Sequence, residues 1–282
     1  MPRDEILSAP LPAARPVLAG LKLGAAWHRL RARSLPWLLP AGLFIIWYVG
    51  ARTGAISPQV LPAPGDVLSG FWSVSQTGEL WNDIAISTGR ALSGLAIGGG
   101  IGFALGILNG VSPLLAKLTD TTLQMVRNIP ILALIPMAIL WFGIGEAAKI
   151  FLIALGVFFP VYLNTYHGIR GVDDRLIEMA RTYRLNGVQL FCHVIFPGAL
   201  PSILVGLRYA LGIMWLVLIV AEMVSASSGI GYMTMNARDD MQTNIVVLGI
   251  LIYALLGKLA DLLAYGLERA CLRWHHSYGQ PR

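Results

Sequence analysis

The sequence predicts an all-α, polytopic membrane helical bundle with about six transmembrane helices, and three observations carry that expectation. Of 282 residues, 56% are hydrophobic and only 13% charged, with a mean hydropathy of +0.66, outside the make-up of a soluble domain. The apolar residues gather into six continuous runs, at 35–51, 91–108, 129–143, 150–166, 201–223 and 245–267, the third open to extension back to Leu123. The runs lack the period-two alternation of barrel strands, and backbone facing lipid must be satisfied inside a helix or a closed barrel, so helices are expected.

Taken in order, the chain opens with a Pro/Ala-rich extension, 1–34, holding six basic residues. It is too long for the n-region of a cleaved signal peptide, and no small-residue cleavage pattern follows the first run, which is expected to stay as a signal anchor. The domain plan is an N-terminal extension 1–34, a transmembrane domain 35–268 with a long loop at 167–200, and a tail 269–282. Fifteen Lys and Arg fall in the extension, the 109–128 loop, the 167–200 loop and the tail, against three (Arg52, Lys149 and Arg238) in the other loops. The positive-inside rule then places both termini and the long loop in the cytoplasm. The first outside loop holds Pro58, Pro62 and Pro64, with Trp72 and Trp81 suited to the headgroup level.

Several function classes are excluded. The net charge of +6 is spread through short segments between apolar runs, not along one basic face, so nucleic acid is not the partner it implies. Cys192 and Cys271 lack metal-ligand or CxxC spacing. His275 and His276, beside Trp274, read as an interfacial cap without the further ligands a metal site needs. Ser227, Ser228 and Gly229 resemble a serine-protease fragment only superficially, with no histidine in the spans to act as base. No Walker signature is present, so any ATP must be hydrolysed by another chain.

Within the second run Gly94, Gly98, Gly102, Gly106 and Gly110 recur every four residues, a ridge along which another helix can approach closely. The third run is short and carries Pro130 and Pro136; such a segment either lines a translocation path or kinks against neighbouring helices. Charges inside spans signal function or pairing. Lys258 and Asp261 stand one turn apart and are expected to neutralise each other. Arg90, Asn128, Pro130, Arg208 and Glu222 are the candidate path residues. Arg208 can equally snorkel toward water, and Glu222 can equally anchor the helix to the following loop.

The long loop carries the most pattern. From Asp173 it reads DDRLIEMARTYR: an aspartate cap, then Leu176, Ile177, Ala180 and Tyr183 on one helical face with Arg175, Glu178 and Arg181 beside it. Leu185, Asn186 and Gly187 signal a turn, and the chain is expected to re-enter the membrane at Phe196, Pro197 and Gly198. Such a helix is either a solvated interfacial element or one that docks into a partner's groove.

At this loop the sequence resembles the cytoplasmic signature of permeases of binding-protein-dependent ABC importers: a Glu-Ala-Ala start, a glycine six residues after the Glu, and a Leu-Pro near the end. The matching residues are Glu178, Met179, Ala180 and Pro197; Arg184 takes the glycine position, with Gly187 three later, and Phe196 replaces the leucine. A non-glycine residue there is strained if the turn needs positive φ. RNIPILALIPMAILWFGIGEAAKIF from Arg127, FPVYLNTYHGI from Phe159, FPGALPSILVGLRYALGIMWLVLIVAE from Phe196, SGIGYMTMNAR from Ser228 and YALLGKLAD from Tyr253 are similar to the sulfonate, nitrate and taurine group of these permeases, nearest its aliphatic sulfonate members. The likeness spans 36–274.

The resemblance implies a permease subunit, not an enzyme, in a bacterial inner membrane. It would work as a homodimer that moves a small anionic solute inward, an alkanesulfonate or alternatively taurine, nitrate or another small solute. It also implies two cytosolic ATPase subunits gripping the loop helix, with Leu176, Ile177, Glu178, Met179, Ala180, Tyr183, Arg184, Gly187 and Pro197 as the ATPase-coupling residues. A periplasmic binding protein would deliver the solute. This chain would bind no cofactor, the partner ATPase using ATP and Mg. The rivals are an ion-coupled secondary transporter, which ordinarily shows repeats and midplane carboxylates, and a structural scaffold, against which the amphipathic helix argues.

Overall fold

The computed structural model describes residues 35, 37–272 and 274; the 1–34 extension and the tail histidines His275 and His276 lie outside the described residues. The chain divides into two compact units, Met1–Ser57 and Pro58–Arg282. In the first, the described residues form a short apolar helix, α1 (Trp37–Arg52). Its end is closed by Thr53 Oγ1 donating to the Val49 carbonyl at 3.0 Å and the Ile56 N–H donating to the Gly50 carbonyl at 3.1 Å.

The second unit is a helical bundle of α2 (Pro64–Gln76), α3 (Glu79–Val111), α4 (Pro113–Arg127), α5 (Ile131–Phe142), α6 (Glu146–Arg170), α7 (Asp174–Thr182), α8 (Gly187–Ser225), α9 (Ile230–Asp239) and α10 (Thr243–Cys271). Helices α3, α6, α8 and α10 are long and apolar enough to cross a membrane, and α4 with α5 passes the same test as a pair bent by 82°, the shape of a broken span or of a re-entrant loop. Asn128 and Pro130 occupy that bend: α4 ends at Arg127, and Pro130 has no N–H with which to continue it. These elements and α1 account for the six apolar runs.

Two boundaries differ from the sequence pattern. Helix α3 starts at Glu79, well before residue 91, because Asp83, Ser87 and Arg90 are buried in protein and the helix can continue past them. Helix α8 runs unbroken through the expected re-entry point. A π turn at Phe191–Ile195 widens the helix just ahead of Pro197, whose ring would otherwise meet the carbonyl one turn back.

Helix α6 is the core of the bundle. On one side it meets the glycine face of α3: a Cβ at Gly94 would strike the Ile153 side chain, and one at Gly98 would overlap the Ala154 carbonyl. At Gly102 a Cβ would lie 2.6 Å from the Phe158 oxygen, and at Gly106 2.9 Å from the Tyr162 oxygen. On the other side α8 approaches as closely: a Cβ at Gly206 would lie 2.9 Å from the Pro160 oxygen, and one at Gly168 2.9 Å from the Ala199 oxygen. Lipid is as apolar as leucine, so such contact between backbones, not hydrophobic burial, holds these helices together. Asn109 extends the seam, its Nδ2 donating to Thr119 Oγ1 at 2.7 Å and to the Tyr162 hydroxyl at 2.9 Å.

Candidate functional site

Arg90 lies on α3 at 4% exposure, and its five N–H groups make five hydrogen bonds. Nε and Nη2 form a fork onto the Glu146 carboxylate, the Nη2 arm at 2.6 Å. Nη1 donates to Glu222 Oε1 and to the Ser228 carbonyl, each at 2.7 Å, and Nη2 also reaches Ser228 Oγ at 2.9 Å. Its guanidinium is thus engaged by protein and not offered to a solute in this conformation.

Glu222, on α8 and 1% exposed, is the other centre. It accepts from Ser87 Oγ at 2.8 Å, the Gly231 N–H at 2.9 Å and the Tyr253 hydroxyl at 2.9 Å, besides Arg90. Asp83 accepts from the Gly229 N–H at 2.8 Å and Ser87 from the Ile230 N–H at 3.0 Å, so the free N–H groups opening α9 are taken up by side chains of α3. Lys149 is buried beside Glu146 and donates to it at 3.3 Å. Gly229 threads this cluster at φ +103, where a Cβ would lie 2.5 Å from Glu222 Oε1 and 2.7 Å from Arg90 Nη1, so conformation and space both require glycine.

One saturated network therefore joins α3, α6, α8, α9 and α10 at one end of the bundle. Sequence reasoning named Arg90 and Glu222 singly and missed Asp83, Ser87, Glu146 and Tyr253. The available signal was topological: Asp83, Arg90, Glu146, Lys149 and Glu222 all fall at the span ends that the positive-inside count puts outside.

Arg208 is also engaged, Nε donating to Asp261 Oδ1 at 2.8 Å and Nη1 to Glu268 Oε2 at 3.4 Å. Lys258 reaches the other Asp261 oxygen at 3.3 Å, so the local pair on α10 is part of a larger ionic group tying α8 to α10. Among the described residues no three His, Cys, Asp or Glu side chains are grouped to hold a metal ion.

Helix α7 is the second feature. Asp173 caps it by accepting from the Arg175 N–H at 2.9 Å. Ala180 is turned inward at 3% exposure and Ile177 is half-buried, whereas Leu176, Met179 at 51% and Tyr183 at 75% stand exposed beside Glu178. The apolar residues thus make two stripes, one seated on the chain and one open. Arg184 adopts φ +59 and closes the helix: Leu185 N–H donates to the Ala180 carbonyl at 3.2 Å and Arg184 N–H to Arg181 at 2.8 Å. Gly187 then opens α8 behind an Asn186–Gln189 capping box.

Residues 96–273 match the family described as "Binding-protein-dependent transport system inner membrane component". The chain belongs to that family. As one of its members it is a transport component rather than an enzyme, and a multi-pass membrane protein. A relative in Escherichia coli (strain K12), named "Putative aliphatic sulfonates transport permease protein SsuC", is 57% identical over 87% of this chain and 94% of its own length. The taurine transport system permease protein TauC of the same organism is 33% identical over 88% and 96%. The nitrate import permease protein NrtB of Leptolyngbya laminosa is 31% identical over 86% and 88%. An inward-facing structure of the MetNI methionine ABC transporter aligns with a TM-score of 0.50 at 18% identity, covering 70% of this chain and 97% of that one, which shows the fold alone.

Proposed function

We propose that this member of the family is the membrane-spanning permease of an ATP-driven importer for small anionic solutes, alkanesulfonates first among them. The observation that carries the mechanism is the exposed stripe of Leu176, Met179 and Tyr183 on α7. In a loop that the positive-inside rule puts in the cytoplasm, three open apolar side chains at helical spacing fit a groove on a cytosolic partner better than they fit water. That partner is an ATPase, which uses ATP and Mg; Ile177 and Ala180 seat the helix, and Arg184, Gly187 and Pro197 direct the chain onward into α8. A periplasmic binding protein delivers the solute, and two copies of this chain form the path. The 57% identity to the sulfonate permease supports the solute class.

The network around Arg90 and Glu222 then clamps the outer ends of α3, α6, α8 and α10, so that ATPase closure moves them as one block. It also counts against ion coupling, since Glu146 and Glu222 are both committed to Arg90. In proteoliposomes, uptake of labelled ethanesulfonate is expected to need the ATPase, ATP and the binding protein together. Uptake driven by an ion gradient without ATP would overturn the reading.

Both termini lie in the cytoplasm in this arrangement, and Ser57 outside. A membrane-impermeant maleimide is expected to label Ser57→Cys in cells whose inner membrane is intact. Labelling seen only after that membrane is opened reverses the orientation.

A further inference from the structure

A cleft of about 200 Å³ lies between α4 and the last turns of α6. Asp120, Gln124 and Arg127, at i, i+4 and i+7, present one face of α4 to it, and Phe159, Tyr166 and His167 of α6 stand among the residues across from them. Its size is below the roughly 300–1,000 Å³ of pockets for drug-sized ligands, so it admits a small head group with a short tail.

Arg90, Lys149, Arg208 and Lys258 each meet a carboxylate. Arg127, at the bend between α4 and α5, and His167 are both exposed, form no ion pair among the described residues, and line the same cleft. The nearby acid does not fill the role: Asp120 stands two turns from Arg127, about 10 Å along the axis, and accepts from Gln124 Nε2 at 2.8 Å. What remains is a guanidinium with unused donors, an imidazole 5.3 Å from the Tyr166 ring, and an aromatic wall. A guanidinium fork matches the oxygens of a tetrahedral anion, and the wall suits a short alkyl chain.

We infer that this cleft binds a tetrahedral oxyanion head group, with Arg127 as its anchor and His167 as a second donor. The source of that group is either the transported sulfonate, held on the inner half of its route, or the head group of an anionic lipid. The solute arm rests on the function proposed above; the binding site itself does not.

The test uses the full chain in phosphatidylcholine nanodiscs without ATPase or binding protein, with trifluoroethanesulfonate as the fluorine NMR probe. Wild type is expected to show saturable line broadening that inorganic sulfate competes away. Arg127→Gln should weaken it roughly tenfold or more, the effect of losing charged hydrogen bonds, and His167→Gln by a smaller factor. Lys117→Gln, outside the cleft, should leave it unchanged. No broadening, but phosphatidylglycerol that copurifies with wild type and not with Arg127→Gln, keeps the site and makes lipid its occupant. If Arg127→Gln alters neither sulfonate broadening nor lipid retention, the site is overturned. Normal ATP-driven uptake in that same variant would leave the importer function standing without it.

Discussion

Glu222→Ala is expected to destabilise the folded chain by about 3–5 kcal/mol, the usual cost of removing one partner from a buried ion pair. The change would leave the Arg90 Nη1 arm, Ser87, the Gly231 N–H and the Tyr253 hydroxyl without the acceptor that serves all four. None of these groups can turn to water, because Glu222 sits in the closed middle of the network at 1% exposure. Glu146 provides the control. It pairs with the same arginine and with Lys149, but its side chain is 57% exposed, so water can take over part of its role and Glu146→Gln should cost clearly less than Glu222→Ala. Replacing both charges, Arg90→Met with Glu222→Met, should recover part of the loss, since the buried arginine charge leaves with its partner and Glu146, half in water, keeps Lys149. Thermal unfolding of the detergent-purified protein reads all three. Equal melting temperatures for Glu222→Ala and Glu146→Gln would show that the network does not hold the helices.

The spans were legible because a bilayer leaves the backbone few choices: continuous apolar runs must be helices. The network around Arg90 and Glu222 was far less so. Ser87 and Glu222 are 135 residues apart and Arg90 and Ser228 are 138, and a single sequence gives the depth of each charge without naming its partner. The start of α3 at Glu79 follows from the same fact, because Asp83 and Arg90 look like residues of a loop until their partners are known. In the long loop the amphipathic pattern and the aspartate cap were readable, but not which apolar stripe turns inward. Leu176, Met179 and Tyr183 are as apolar as Ile177 and Ala180, and the choice is made by the packing of α7 against the π turn of α8, which no local pattern encodes. Arg184 shows the limit of the glycine rule: the helix ends in the left-handed conformation that glycine favours, with arginine in place.

That division of stripes decides how the coupling role is tested. Leu176→Asp together with Met179→Asp is expected to leave the permease inserted and folded while abolishing its association with the ATPase, because both side chains are exposed and seat nothing within this chain. Apolar anchors buried in a partner's groove are often worth about 2 kcal/mol or more each, so losing two should weaken association by roughly a thousandfold. Uptake should fall to background with it. Glu178→Ala is a milder change of about 0–1 kcal/mol, as for a salt bridge on an interface rim. Ile177→Asp with Ala180→Asp makes the contrasting case: Ala180 is 3% exposed, so the carboxylates would lift α7 off α8 and damage the loop itself, a loss that protease sensitivity of the loop should report. The outer-face pair should leave that sensitivity unchanged. Pull-down of the ATPase at wild-type strength by the Leu176→Asp, Met179→Asp chain would return α7 to the role of an interfacial helix.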